Sequence, residues 1–364
     1  MSELDLLYTD VEADLRDVVR DVLIDQCDPA SVVAMYDGDR SIVAGLWKAL
    51  AADVGLAGLL VPEELGGAGA SAREAAVVLE ELGRAVAPVP FLTSAVVATT
   101  TLLESRSDLL SPLATGERTA ALIVPWATSP DSEIPTVRVE GCRLTGTIAG
   151  VAGALEADVL LVPASTPEDL TIYGIETAEA AVTPVNSLDM TRQLADVRLD
   201  GVVATPVVTN AEAAVRLALQ TGTTLLASEQ VGLAQWCLDT TVAYLKERKQ
   251  FGRAVGSFQA VKHRLADLYT GVESAAAAAR YAAATLAAAD PDTPVAARVA
   301  QSFCADVAVT AAEESIQLHA GIGMTWEFPA HLYLKRAKAD QIALGTPGRH
   351  RARLAELVDL PALA

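Results

Sequence analysis

Lys246, Arg248 and Lys249 place three cations within four positions, and Phe251 follows just after them. Gly252 and Gly256 then interrupt the chain. Upstream, Val231, Ala234, Leu238, Val242 and Leu245 recur every three or four residues, the period of a helix with one apolar face. A second helical pattern begins near Ser257 and reaches the alanine-rich run before Asp290. The spacing predicts a helix hairpin that presents fixed positive charge beside an aromatic ring. Such a group suits an anionic, partly planar ligand, because a guanidinium can give paired N–H bonds to phosphate or carboxylate oxygens. A basic helix C-terminus answering its own dipole would use the same residues with no ligand at all.

The elements that must hold this hairpin fall into three textures. Residues 1–115 read as mostly helical, with Leu46, Leu50 and Val54 on one face and Trp47 beside them. Gly66-Gly-Ala-Gly69 reads as a structural turn, since no strand precedes it at dinucleotide spacing and no Gly-Lys-Ser follows. Ser71 and Glu74 have the spacing of a capping box that opens a helix to about Arg84. Residues 116–207 carry short runs rich in β-branched residues, at Ala120–Val124, Thr136–Val139, Val159–Val162, Leu170–Tyr173 and Ala195–Asp200. Turns at Gly141, Gly146 and Gly201 and prolines at Pro163, Pro167 and Pro206 separate them, so a small β-barrel or sandwich is expected. Residues 208–364 read as a four-helix bundle. Thr209 and Glu212 predict a second capping box, Thr293 an N-cap with Pro294 in the first helical position, and Gly321 and Gly323 a stop after His319. Pro329 opens the fourth helix. The fold class expected is mainly α with a central β domain.

Composition narrows the partners. The net charge of −20 and an aromatic fraction of 4% argue against nucleic acid and anionic membrane surfaces. Cys27, Cys142, Cys237 and Cys304 lack metal-ligand spacing and fit free thiols in a reducing compartment. The acidic amino terminus carries no secretory apolar region, and no run of about 18 bulky apolar residues predicts a membrane span. A cytoplasmic protein is expected.

Glu247-Arg-x-x-Phe-Gly252, followed by Phe258-Gln259, resembles the signature of the acyl-CoA dehydrogenase family. Gln317-Leu-His-Ala-Gly-Ile-Gly-Met-Thr-Trp-Glu-Phe-Pro329 and His331–Arg336 resemble a second family block, and Val61–Gly69 and Val78–Gly83 its amino-terminal helices. The resemblance implies α,β-dehydrogenation of an acyl-CoA thioester. A carboxylate removes the α-proton, FAD accepts the β-hydride, and a carrier flavoprotein takes the electrons onward. It implies that Arg248 contacts the FAD pyrophosphate, that Phe251 packs on the cofactor with Gln259 nearby, and that Gln317 and the His319-Ala320-Gly321 turn supply hydrogen bonds and close backbone approach. Thr346 joins the same expected set. Family members usually carry Gly-Gly where this chain has Ala320-Gly321.

Two departures stand against that pattern. The segments expected to face the flavin read Trp126-Ala-Thr-Ser-Pro-Asp131 and Gly150-Val-Ala152, without the family's indole and hydroxyl on the second strand. The two family positions for the base fall on Leu344 and Gly222, neither of which accepts a proton. Glu229 and Asp267 match no catalytic position and read as solvated helix faces. No catalytic residue is therefore expected in this chain. The pattern is similar to the base-lacking subunit of heterotetrameric acyl-CoA dehydrogenases acting on steroid side chains. In those assemblies a homologous partner supplies the catalytic Glu and FAD lies at a mixed interface. Two rivals are a self-sufficient homo-oligomer with a relocated base and a flavin-free scaffold.

Overall fold

The computed structural model describes residues 4–166 and 169–361. Pro167 and the first three residues, which enter the sequence reading, lie outside the described residues. Helix α1 (Asp10–Gln26) opens on a capping box in which Thr9 and Glu12 satisfy each other's backbone N–H. Short helices α2 (Pro29–Ala34) and α3 (Ser41–Lys48) follow. Helix α4 (Ala72–Arg84) begins at the predicted Ser71–Glu74 box. A fully buried π-helical stretch, Phe91–Ala98, runs on into α5 (Thr99–Leu103), and α6 (Leu110–Ala114) closes this region. The glycine loop is a structural turn: the backbone N–H groups of Gly66 to Ala70 all bond to carbonyls between Gly58 and Glu63. None of those five is left for a phosphate.

Eight strands form one sheet: β1 (Ala120–Leu122), β2 (Val137–Glu140), β3 (Arg143–Ala152), β4 (Val159–Ser165), β5 (Leu170–Glu176), β6 (Ala181–Pro184), β7 (Leu194–Val203) and β8 (Thr205–Val208). The order is β6-β7-β3-β2-β4-β5-β8, with β1 beside β4. Strand β4 shows why an unbroken apolar run belongs here. Val159 and Leu161 enter the core shared with the helices, while Leu160 and Val162 enter a second core on the sheet's other face. Strands β3, β6 and β8 have no counterpart in the sequence reading. Gly146 lies inside β3 rather than in a turn, packed against Val137, and Gly201 sits within β7 at a register shift rather than between strands. Pro163 and Pro206 are likewise within strands. Pro163 is tolerated because pairing with β1 ends at Leu161 and pairing with β2 starts at Ala164, so its missing N–H interrupts no ladder on that side.

Three long helices follow, α7 (Glu212–Glu247), α8 (Gln259–Ala287) and α9 (Thr293–His319), then α10 (Ala330–Ile342) and α11 (Pro347–Leu357). Alanines at 275, 279 and 282 on α8 pack on those at 296 and 300 on α9, which accounts for the alanine-rich composition. Helices α4 and α7 touch backbone to backbone. A Cβ at Gly83 would collide with the Glu229 carbonyl, and one at Gly232 with that of Glu80. The capping box predicted at Thr209 does not form. Ala211 is the N-cap without a side-chain bond, and Asn210, at φ 51°, gives its N–H to Asp169 instead. Asp292 rather than Thr293 is the N-cap of α9, and the Thr293 hydroxyl bonds to the Asp290 carbonyl. Helix α11, capped by Thr346, is an addition to the expected four. The stretch Thr293–Met324 is long and apolar enough to cross a membrane by length and composition, but 67% of its most apolar window is buried inside the fold.

Candidate functional site

Helix α7 ends where Arg248 leaves the helical conformation. The chain then forms a tight hairpin, β9 (Lys249–Gln250) against β10 (Arg253–Ala254), with Phe251 at its tip. Phe251 is 89% exposed and adopts φ 52°, while Gly256 folds back so closely that a Cβ would press on the Leu245 carbonyl. The far end of α9 arrives alongside. Tyr244, on the last turn of α7, stacks on His319 with ring centroids 4.4 Å apart, and Phe328 covers the other side at 4.1 Å. This sandwich brings Arg248 to the same end of the bundle as Gln317. Tyr244 did not figure in the sequence reading, and Phe328 entered it only as part of the Gln317–Pro329 block, with no role of its own.

The His319 ring is turned inward. Its Nδ1 lies 2.7 Å from the Ser315 carbonyl, and burial pushes its pKa below the usual imidazole value, so the ring is neutral. What the turn offers outward is backbone. Ala320 takes φ 56° and ψ −131°, a conformation that favours glycine, and Gly321 is exposed with open space around its Cα. Among the described residues the side chains of Arg248, Gln259 and Gln317 make no hydrogen bond or ion pair, and all three are exposed. A guanidinium, two amides, a ring and an open stretch of backbone are thus uncommitted at one end of the bundle.

The two family base positions meet far from this end. A Cβ on Gly222 would lie 2.8 Å from a Val97 methyl and 3.2 Å from Leu344 Cδ1. Leu344 is 1% exposed and adopts φ 52°. Its N–H bonds to the Trp126 carbonyl at 2.8 Å, and the Trp126 N–H bonds to the Gly150 carbonyl at 2.8 Å. Four positions singled out in the sequence, Gly222, Leu344, Trp126 and Gly150, therefore converge. Thr346 sits with this group, capping α11 through a bond from the Arg349 N–H, and not with Arg248. Where a carboxylate would stand, aliphatic carbon fills the space.

Beside this point is an open cavity of about 300 Å³ between the sheet and α10, walled by Trp126, Gly150, Leu194, Arg192, Lys338 and Ile342. An indole does reach it, from Trp126 rather than from the strand where the sequence comparison placed one. Behind the wall lies a buried charge network. Arg192 bridges Glu229 at 2.5 Å and Asp340 at 2.6 Å, and Arg336 bridges Glu229 and Asp189, each at 2.7 Å. Glu229 is thus no solvated helix face. Burial pushes its pKa up, but Arg192 and Arg336 overcome this and hold it below the ordinary carboxylate value. With both oxygens engaged by guanidiniums it is a structural anion, not a base. Asp267 is exposed, as expected, in a groove between α8 and α9.

Residues 9–117 match the family described as acyl-CoA dehydrogenase, N-terminal domain, and residues 213–358 match acyl-CoA dehydrogenase, C-terminal domain. The chain belongs to the acyl-CoA dehydrogenase family. It is 38% identical over 341 residues to acyl-CoA dehydrogenase IpdE2 of Mycobacterium tuberculosis, covering 93% of this chain and 95% of that protein. Among solved structures it is similar to a variant of the Tcur3481-Tcur3483 steroid ACAD, with 30% identity, TM-score 0.83 and coverage of 96% and 98%. It is also similar to the ChsE4-ChsE5 complex from Mycobacterium tuberculosis, with 27% identity, TM-score 0.86 and coverage of 99% and 100%.

Acyl-CoA dehydrogenases are FAD-dependent oxidoreductases acting on CH–CH bonds, and the outer end of this family member fits the phosphate half of that cofactor. Arg248 has no ion-pair partner among the described residues, and the Gly321 backbone is approachable. At the inner point the two positions compared with the family's base are Leu344 and Gly222, and neither side chain accepts a proton.

Proposed function

We propose that this chain is one subunit of a mixed acyl-CoA dehydrogenase, contributing contacts to the phosphate half of FAD while a homologous partner supplies the catalytic carboxylate. The observation that carries this reading is the packing of Leu344 on Gly222: both family base positions coincide in space, and neither bears an acid. Geometry adds a second argument. Gly222 and the end of α7 at Glu247 are on the order of 40 Å apart at 1.5 Å per residue, further than an extended dinucleotide reaches. That separation supports a reading in which one FAD does not use both regions of one copy and the Arg248 end serves a cofactor whose reacting ring lies in another subunit. FAD bound there would accept the β-hydride. In this chain Arg248 holds the pyrophosphate, Phe251 packs against the cofactor, and Gln259, Gln317 and the Ala320–Gly321 backbone fix its orientation.

The likeness to a complex described as a steroid ACAD favours a CoA thioester of a steroid side chain or another bulky acyl group as substrate, with a carrier flavoprotein as electron acceptor. Co-expression with homologous chains, followed by counting flavin per assembly and assaying CoA-thioester dehydrogenation, tests the reading. A colourless, inactive isolated chain that becomes a yellow, active mixed assembly is the expected result. A yellow, active homo-oligomer would overturn it.

A further inference from the structure

The buried network behind the cavity does not balance. Asp189, Glu229 and Asp340 bring three carboxylates, and Arg192 and Arg336 bring two guanidiniums. All are buried except Arg192, whose side chain is 11% exposed. Among these five groups one negative charge is in excess, with Lys335 of α10 facing Asp189 from outside the ion pairs, and an unpaired buried charge is costly. The hydrogen bonds show where the excess sits. Both Glu229 oxygens accept from arginines, and Asp189 accepts from Arg336, Thr191 Oγ1 and the Thr191 N–H. Asp340 accepts from Arg192 through Oδ1 alone, and its Oδ2 is buried without a partner among the described residues.

Two further orphans stand beside it. Gln230 on α7 and Gln301 on α9 each give an amide N–H to the same acceptor, the Asp340 backbone carbonyl, at 3.3 Å. The Oε1 atoms of both glutamines are buried and unpartnered. An amide oxygen lies one amide width from its nitrogen, so both glutamine oxygens lie near the Asp340 backbone, and the Asp340 side chain carries the third unpartnered oxygen. Three acceptors with no donor are mutually unfavourable. One proton on Oδ2 changes this: the acid then donates to a glutamine oxygen, and the network becomes neutral.

We infer that Asp340 is held as a neutral acid whose Oδ2–H donates to Gln230 or Gln301 Oε1, and that it acts as a positioning residue for the cavity wall. It does so through Arg192. A neutral Asp340 accepts one Arg192 N–H without competing with Glu229 for the whole charge. Arg192 is thereby fixed between α7 and α10, with its guanidinium carbon 5.4 Å from the centre of the Trp126 ring. Burial and then the nearby Glu229 favour the protonated form more than Arg192 and Arg336 oppose it. The charged groups facing Asp340 are Glu229 from α7, Arg192 and Asp189 from the segment before β7, and Arg336 from its own helix.

The sign follows. A carboxyl whose folded pKa is raised contributes stability at low pH that is lost as pH rises above its unfolded value, until the folded value is passed. An asparagine at this position imitates the neutral acid at every pH, so the comparison of wild type, Asp340→Asn and Asp340→Ala is decisive. The measurements are thermal midpoint from pH 5.5 to 9, Trp fluorescence, and the infrared carbonyl band of a protonated carboxylic acid, on the full chain in its purified assembly. Wild type should show that band at neutral pH, and Asp340→Asn should lack it. The Asn variant should match or exceed wild type by a few degrees at pH 8.5, with a flatter pH profile and unchanged Trp fluorescence. Asp340→Ala should fall below both and shift the fluorescence. Absence of the band would overturn the inference, as would an Asn variant as damaged as Ala. A wild-type midpoint that rises with sodium or potassium over choline would also overturn it, since a bound cation would then balance the charge.

Discussion

Two regions of α7, its carboxyl end and the turn around Gly222, differ in what surrounds them. At its carboxyl end Arg248, Phe251 and Gln317 are exposed, Arg248 and Gln317 make no side-chain hydrogen bond or ion pair among the described residues, and two backbone positions, Phe251 and Ala320, have the positive φ that non-glycine residues avoid. Around Gly222 every neighbour is buried and packed, and the residue in the left-handed region is a leucine that fills the space. Strain at the first end leaves groups available, whereas strain at the second closes a site.

The largest test of that contrast compares carboxylates across the assembly. Replacing the partner's catalytic Glu with Gln should lower turnover by about 10²–10⁴-fold or more, while Asp267→Asn in this chain leaves it near normal. A steady-state assay with flavin content measured in parallel checks both. Glu229→Gln should behave differently from either. It removes one of two carboxylate partners from each of the buried guanidiniums Arg192 and Arg336, which keep Asp340 and Asp189, so unfolding free energy should drop by about 1.5–3 kcal/mol by denaturant titration, with turnover per folded assembly retained. The same residue sets an acid limit. Because its folded pKa is depressed, the stability it contributes is present above the ordinary carboxylate value and is lost as pH falls from there through the lower folded value.

Arg248→Ala should loosen flavin in the mixed assembly by about 1.5–3 kcal/mol, read as flavin loss on dilution. Unchanged retention would reduce the basic cluster to a capped helix end. The smallest effect belongs to Ala320→Gly. It removes the side chain that its backbone conformation disfavours, and a gain of up to about 1 kcal/mol in stability is expected from a thermal melt.

Legibility followed the range of the interactions. The long helices, the Ser71 box and the strands with buried β-branched runs announce themselves locally. Strand β3 does not, because Gly146 and Gly150 interrupt its pattern and its pairing with β7 bends at two register shifts. Helix α11 carries a Thr-Pro start signal at 346–347 but few apolar residues, so periodicity alone passes over it. The uncommitted end was readable from motif spacing, as were the missing acids at Leu344 and Gly222. That these two residues touch was not, since they are more than a hundred positions apart and only the fold joins them. Glu229 was misread for the same reason. Its arginines come from a loop before β7 and from α10, and nothing near it in the chain signals a buried anion.

The contact of α4 with α7 through Gly83 and Gly232 has a mechanical consequence. With no side chains between them, the two backbones interlock at a fixed height, and sliding by even one residue would drive a Cβ into a carbonyl. The middle of α7 is thus clamped like a beam at its support. Any adjustment to a neighbouring subunit must be taken up by the overhanging ends, and the compliant one is the short hairpin at 249–254, where no core residue is at stake. The stiffness of the centre is what lets that tip be loose without loosening the fold.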